Sequence, residues 1–312
     1  MGSAGHHADH DHAGHASAHG QGVRNRAEAA FRWSVLLNAA LTTLQLTIGF
    51  SFGSLALIGD ALHNLGDVVG LALGWGAERL SRKPAAGRFT YGFGRSTHLA
   101  SLMNGLLIFA AGAVVVVEAI QRFLDPVPLQ TGPVAWAAAA GIVINLLSAR
   151  LFGRDHHHDL NQRAAVLHLL TDAAVSVAVL ASTLLVGATG WLQLDALTAV
   201  GVGAVVMGSA WSLLREAIAV NLDAAPLGID VERVRAALLA LPGVVAVPEL
   251  HIWGVSTSRT ALTAHVRRQV AAADDANAFD AKAFLEEARR CLRELGIRKS
   301  TLEVELAEDW GS

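Results

Sequence analysis

One cysteine, Cys291, is all the thiol this chain has. It excludes an internal disulfide framework and any CxxC metal site, and its simplest reading is a packed thiol. Charge is also scarce: Asp, Glu, Lys and Arg make up 16% of the 312 residues, against 53% hydrophobic residues. With a mean hydropathy of +0.41, the chain lies outside the soluble globular class. Basic residues are not in excess, and a formal net charge of −3 argues against a nucleic-acid partner. No HExxH occurs, so an intramembrane metalloenzyme lacks its usual motif and the chain is read as a non-enzyme. The stretch before Arg24 has no apolar run, which argues against a cleavable signal peptide.

What the chain does have is apolar segments near the ~20 residues needed to cross a bilayer. Six such spans are expected: Phe31–Phe52, Ser54–Glu78, Leu99–Ile120, Gly132–Leu151, Ala164–Val186 and Leu192–Leu214. Breaks at Gly49–Ser54 and Gly187–Gly190 predict tight hairpins between neighbouring helices. Arg24, Arg26 and Arg32 precede the first span, and Arg79, Arg82, Lys83, Arg88 and Arg95 follow the second. Arg150, Arg154 and Arg163 lie between the fourth and fifth, Arg215 follows the sixth, and only Arg122 lies on the opposite side. By the positive-inside rule both termini are cytoplasmic.

Two of these spans carry the same pattern, HxxxD: His63 with Asp67, and His168 with Asp172. A spacing of four sets each pair on one helix face, one turn apart. Ionisable groups in hydrocarbon cost roughly 2.5–3.5 kcal/mol each even on a lenient scale, so they persist mainly in functional pathways. One isolated pair could be structural. Two pairs have a cheaper common solution, a single dication held by two imidazoles and two carboxylates. Imidazole nitrogen suits Zn²⁺, with Co²⁺, Ni²⁺ and Cd²⁺ as guests, whereas Mg²⁺ and Ca²⁺ prefer oxygen shells. Metal loading of such a site releases protons, so metal/proton exchange follows, with His63 and His168 as proton carriers.

Other polar residues in the spans are read more plainly. Asp60 is structural or pathway-lining rather than a direct ligand, and Asn38, Gln45, Asn104 and Asn145 are interhelical hydrogen-bond glue. Gly70, Gly74 and Gly76 permit close helix approach, and Asp195 is a cap at the start of the sixth span.

Two His-rich clusters lie on the cytoplasmic side: His6, His7, His10, His12, His15 and His19, and the run Asp155–Asp159. They read as a divalent-metal trap or as solvated low-complexity sequence. Beyond Arg215 the pattern changes to helix, strand, strand, helix, strand. The helices are expected at Ile229–Ala240 and Ala278–Leu295. The β-rich segments are Val244–Val247, Leu250–Val255, Thr260–Val266 and Thr301–Leu306. The expected division is a tail over 1–27, a transmembrane domain over 28–216 and a small α+β domain over 217–312.

The segments Ala56–Asp67, Arg88–Arg95 and Asn161–Asp172 resemble those of the cation diffusion facilitator zinc transporters. So do Leu241–Val244, Glu249–Trp253 and Thr263–Val266 in the tail. The resemblance implies a membrane all-α bundle of six helices plus a cytoplasmic, metallochaperone-like α+β domain that joins two protomers. It implies export of Zn²⁺ from the cytoplasm across a cell membrane in exchange for protons by alternating access. The four ligands carry over onto His63, Asp67, His168 and Asp172. Alternatives are Co²⁺, Cd²⁺ or Fe²⁺ as cargo, or a non-transporting membrane metal sensor.

Some family positions differ. Arg88 and Phe93 stand where some members have His in the loop after the second span. Pro248 and Arg298 replace His in the tail, leaving His265 and Glu305 of that cluster, so the tail domain is read as a dimerisation module. His251 reads as a strand residue beside Trp253. Thr97 replaces a commoner Glu, and His98 is either an entry ligand or an interfacial residue.

Overall fold

A computed structural model describes residues 35–151, 160–269 and 280–307. Both His-rich clusters, with Arg24, Arg26, Arg32 and Arg154, lie outside these described residues. Among the described residues, six helices are long and apolar enough to cross a membrane. They are α1 (Val35–Phe52), α2 (Leu55–Ser81), α3 (Ser96–Leu124), α4 (Thr131–Leu151), α5 (Leu160–Thr189) and α6 (Gln193–Asn221). All six expected spans are therefore helices. Helices α3, α5 and α6 run a turn or more past the apolar stretch at one end, because backbone hydrogen bonding continues where the side chains turn polar. The longest single extension is at the end of the sixth, which reaches Asn221 rather than Leu214.

Contacts divide the chain into two compact units. One comprises residues up to Val68 together with Ala110–Met207, and the other comprises Val69–Phe109 and Gly208–Ser312.

In the first unit the α1–α2 joint is as tight as the sequence suggests. Gly53 adopts φ 82°, a left-handed conformation that ends α1, and its amide and that of Ser54 bond back to the Gly49 carbonyl. Asp195 lies in the first turn of α6 but caps a different helix. It accepts from Ser54 Oγ at 2.6 Å and from the Leu55 and Ala56 amides at 2.8 and 3.4 Å, satisfying the N-terminus of α2. The capping role expected of it thus holds across helices rather than along its own. Helices α3 and α6 cross closely at Gly112 and Gly203, where an added Cβ on Gly203 would lie 2.7 Å from Val116 and 3.3 Å from the Gly112 carbonyl.

In the second unit Gly70 admits the Asn104 side chain, whose amide nitrogen would lie 2.6 Å from an added Cβ. A Cβ added at Gly74 or Gly76 would meet nothing from beyond its own helix turn within 4 Å among the described residues. Of the three glycines read as close-approach sites in α2, only Gly70 serves that purpose among the described residues. The tighter glycine crossing belongs to α3 and α6, which the sequence reading did not single out.

The same unit contains an α+β domain. Helix α7 (Val231–Leu239) is capped by Asp230, whose carboxylate accepts from the Glu232 and Arg233 amides. Strand β1 (Val244–Ser256) pairs antiparallel with β2 (Arg259–Gln269), which pairs in parallel with β3 (Lys299–Ala307) after α8 (Ala281–Glu294). The two β-rich segments on either side of Pro248 are one strand. Its register shifts between Ala246 and Glu249, an irregularity that accommodates a residue with no amide to donate. Leu262, Ala264 and Val266 alternate onto the buried face of β2, against Val234 and Leu238 of α7 and Phe284, Ala288 and Leu292 of α8. Cys291 is half-buried on α8, and that burial, aided by Glu294, raises its thiol above the usual range.

The cross-helix cap gives a test. Asp195→Ala leaves buried donors on α2 unpaired, at a cost of about 1–3 kcal/mol. The detergent-solubilised protein should therefore melt earlier. Ser54→Ala should lower melting less, since both amide bonds remain. Wild-type melting in Asp195→Ala would refute the tie.

Candidate metal centre

Helix periodicity sets His63 and Asp67 on one face of α2, and His168 and Asp172 on one face of α5. The two faces meet. One donor atom from each residue lies within 4.8 Å of every other. The closest pairings cross between helices: His63 Nε2 is 3.3 Å from Asp172 Oδ1, and His168 Nε2 is 3.1 Å from Asp67 Oδ2. His168 also lies 3.6 Å from Asp172 Oδ2, and the two imidazoles stand edge to face with centroids 5.8 Å apart. Each carboxylate thus faces an imidazole of the other helix, and the four close into a ring.

The ring is unevenly enclosed. The Asp172 and His63 side chains are 2% and 14% exposed, against 33% for Asp67 and 47% for His168. Along both helices the buried pair lies toward Asp60 and Ser176, where a second polar layer follows. Asp60, fully buried, accepts from Gln45 Nε2 and Ser176 Oγ, each at 2.9 Å. Asn64 Nδ2 donates to Gln45 Oε1 at 3.3 Å. This layer joins α1, α2 and α5. Gly141 of α4 packs against it, since an added Cβ there would lie 2.8 Å from Ser176 Oγ and 2.9 Å from Gln45 Nε2.

Asp60 is not in the four-residue group, in keeping with its reading as structural or pathway-lining. Gln45 is interhelical glue, as expected. Asn145 is fully buried, yet neither of its amide atoms finds a partner among the described residues. Ser176 and Asn64 were missed by sequence reading. Their signal was available: Ser176 follows Asp172 by one turn, and Asn64 lies between His63 and Asp67.

His98 lies in the first turn of α3, buried and apart from the four-residue group. Its ring stands against β1, where a Cβ on Gly254 would be 3.2 Å from Nε2. Thr97 Oγ1 donates to the Gly94 carbonyl and accepts from the Thr257 amide. Arg95 and Asp223 form an ion pair nearby. In this unit the first turn of α3 is thus fastened to the β1–β2 hairpin.

On the open face of the sheet, the residue beside His265 is Glu303 and not Glu305. Parallel pairing of β2 with β3 sets Glu303 opposite His265, with Nε2 3.1 Å from its carboxylate, while Glu305 pairs with Arg267 at 2.8 Å. Glu249 approaches the same imidazole from β1 at 3.9 Å. His251 is well exposed on β1, 4.0 Å from Glu249.

Two family models match the chain. The cation efflux transmembrane domain covers residues 32–220, and the cytoplasmic domain of cation efflux proteins covers 226–305. Among characterised relatives, the metal cation efflux system protein CzcD of Cupriavidus metallidurans is 32% identical over 254 residues, 81% of this chain and 79% of its own. The zinc transporter ZitB of Escherichia coli is 33% identical over 263 residues, 83% of this chain and 82% of its own. A cadmium, cobalt and zinc/H(+)-K(+) antiporter of Bacillus subtilis is 28% identical over 287 residues, 90% of this chain and 91% of its own. With both halves matched in order around six membrane helices, the chain belongs to the cation efflux, or cation diffusion facilitator, family, and is a multi-pass membrane transporter of metal cations rather than an enzyme.

Proposed function

We propose that this protein exports Zn²⁺ from the cytoplasm in exchange for protons, by alternating access, with His63, Asp67, His168 and Asp172 as the transported ion's four ligands. The observation that carries this reading is the ring of four donor atoms within 4.8 Å of one another. In a tetrahedral zinc site with bonds of about 2.0–2.1 Å, neighbouring donors are roughly 3.4 Å apart. The donor pairs at 3.1, 3.3 and 3.6 Å are near that edge already. Two carboxylates neutralise the dication, and two neutral imidazoles complete the shell without leaving net charge in hydrocarbon.

Protons compete for the same atoms. Imidazole must lose its proton to bind, so a loaded site that opens to a more acidic side is emptied by protonation, and the protonated site returns. The basic residues Arg79, Arg82, Lys83, Arg150 and Arg163, on alternate joints, support cytoplasmic termini and a cytoplasmic α+β domain. That domain joins two copies of the chain, and the host is the cell membrane. The transmembrane domain is taken as 28–216 and the α+β domain as 217–312. A second cargo, Cd²⁺ or Co²⁺, uses the same site. Both suit mixed imidazole and carboxylate donors, and both are named for the Bacillus subtilis relative.

Vesicles containing the purified protein, a zinc dye and a pH dye test the exchange. Zinc entry should be accompanied by opposite proton movement. His63→Ala, Asp67→Ala, His168→Ala and Asp172→Ala should each reduce flux to background while the protein still inserts. Robust flux in any of the four would remove that residue from the site.

The pH dependence has a defined sign. Binding displaces protons, so zinc affinity should rise with pH through the imidazole range, near 6.5 for an unperturbed ring, and fall on acidification. Affinity independent of pH would contradict exchange at these residues.

Orientation is testable with a single introduced thiol in a Cys291→Ser background. Gln130→Cys, between α3 and α4, should react with an impermeant maleimide on intact cells, and Lys83→Cys only after permeabilisation. The reverse pattern would invert the topology.

A further inference from the structure

Asp60 sits one turn from His63 on the same face of α2 and is completely buried. Its Oδ2 is fully engaged, taking hydrogen bonds from Gln45 and Ser176 at 2.9 Å each. Its Oδ1 is buried and has no partner among the described residues. The Nδ1 of His63 is likewise buried and without a partner. The other ring nitrogen of His63, Nε2, faces Asp172 Oδ1 at 3.3 Å, inside the four-donor ring. A buried acceptor and a buried ring nitrogen, each lacking a bond, thus lie three residues apart on one helix face. Leaving both unmade is costly in a dry interior. Metal-bound imidazoles commonly resolve the same problem by donating the remaining N–H to a carboxylate, which fixes both tautomer and ring direction.

We propose that Asp60 is a positioning residue for the transported ion: its Oδ1 accepts the Nδ1–H of His63, holding the ring with the Nε2 lone pair turned toward the metal. This rests on the reading of His63 as a ligand. The hydrogen bond forms as the ion draws Nε2 into line, since such contacts tighten in the loaded complex. Gln45 and Ser176 then have a definite task. By anchoring Oδ2 from α1 and α5, they fix the carboxylate so that Oδ1 stays aimed along α2. The other imidazole, His168, is half-exposed, and α5 carries Ala164 and Ala165 in the turn before it rather than an acid. The two ligand histidines are therefore not equivalent: one is backed by protein and the other is left free to move.

The test uses the full-length protein, with zinc affinity measured in detergent as the difference from His63→Ala, and KM and kcat measured from vesicle flux. Asp60→Ala should weaken the site 10–100-fold and raise KM for Zn²⁺ similarly, with a smaller change in kcat, and should melt earlier because Gln45 and Ser176 lose their acceptor. Asp60→Asn keeps one carbonyl oxygen, which the Gln45 and Ser176 donors hold at the Oδ2 position, so an amide N–H rather than an acceptor faces Nδ1, and KM should rise as in Asp60→Ala while those anchors persist. If the Ala protein does not assemble, Asp60→Leu, of similar shape but with no acceptor, takes its place. Wild-type KM in a folded variant lacking the acceptor, while Asp172→Ala abolishes flux, would overturn the role of Asp60 and leave the site intact. Wild-type KM in Asp60→Asn would also overturn it, because the anchors persist there and the acceptor facing Nδ1 does not. Wild-type flux in Asp172→Ala would instead overturn the four-ligand reading itself.

Discussion

Four ionisable side chains lie inside helices that must sit in hydrocarbon, and the rest of the transmembrane architecture answers to that constraint. In water each would be solvated separately. In a bilayer each costs roughly 2.5–3.5 kcal/mol on the lenient scale, so isolation is not tolerated. The cross-helix pairing of His63 with Asp172 and of His168 with Asp67 is how α2 and α5 are matched. Slipping one helix past the other by a turn would separate both pairs together. The same contacts that make the proposed binding site therefore also specify how the two helices register.

The polar layer next to the ring extends that logic to α1 and α4. Gln45 and Ser176 reach Asp60 from two helices, and Gly141 allows α4 close enough to cover them. Farther along, Asp195 of α6 ties the start of α2 through Ser54 and two backbone amides. Helix α2 is thus fastened by carboxylates at its beginning and at Asp60. Its next acid, Asp67, is one-third exposed. Enclosure falls from Asp60 to Asp67 along α2, and the four-donor ring spans the change.

Much of this was legible in the sequence because hydrocarbon leaves few options. Span number followed from apolar length, and the pairing of α2 with α5 followed from two copies of HxxxD. What was not legible depended on partners distant in the chain. Asp195 looks like a cap for its own helix, and only the packing of α6 beside the start of α2 reassigns it. The α3–α6 crossing at Gly112 and Gly203 has no stronger sequence signal than Gly74 or Gly76, where an added Cβ would meet nothing within 4 Å among the described residues. Whether a small residue faces a neighbour is decided by helix rotation, which composition does not encode. Pro248 separates two β-rich segments in the sequence, and neighbouring backbone bonds carry β1 across it with a shifted register. Glu303 and Glu305 share a strand face, and only the parallel register with β2 chooses which of them meets His265.

That last case clarifies why the membrane site is the compelling one. Glu249, His265 and Glu303 form a row across three strands, with carboxylate oxygens 3.9 and 3.1 Å from one imidazole. By residue type the row resembles part of the intramembrane ring. By environment it does not, for these side chains are 48–73% exposed and water can satisfy each of them separately. Exposed pairs of this kind contribute little, and proximity there obliges nothing to bind. Inside the bilayer the alternatives to mutual neutralisation are absent, so the same residue types become a demand for a counter-charge. In the proposed exchange, a dication bound by all four groups and displaced by protons would meet that demand in a way that also allows it to leave.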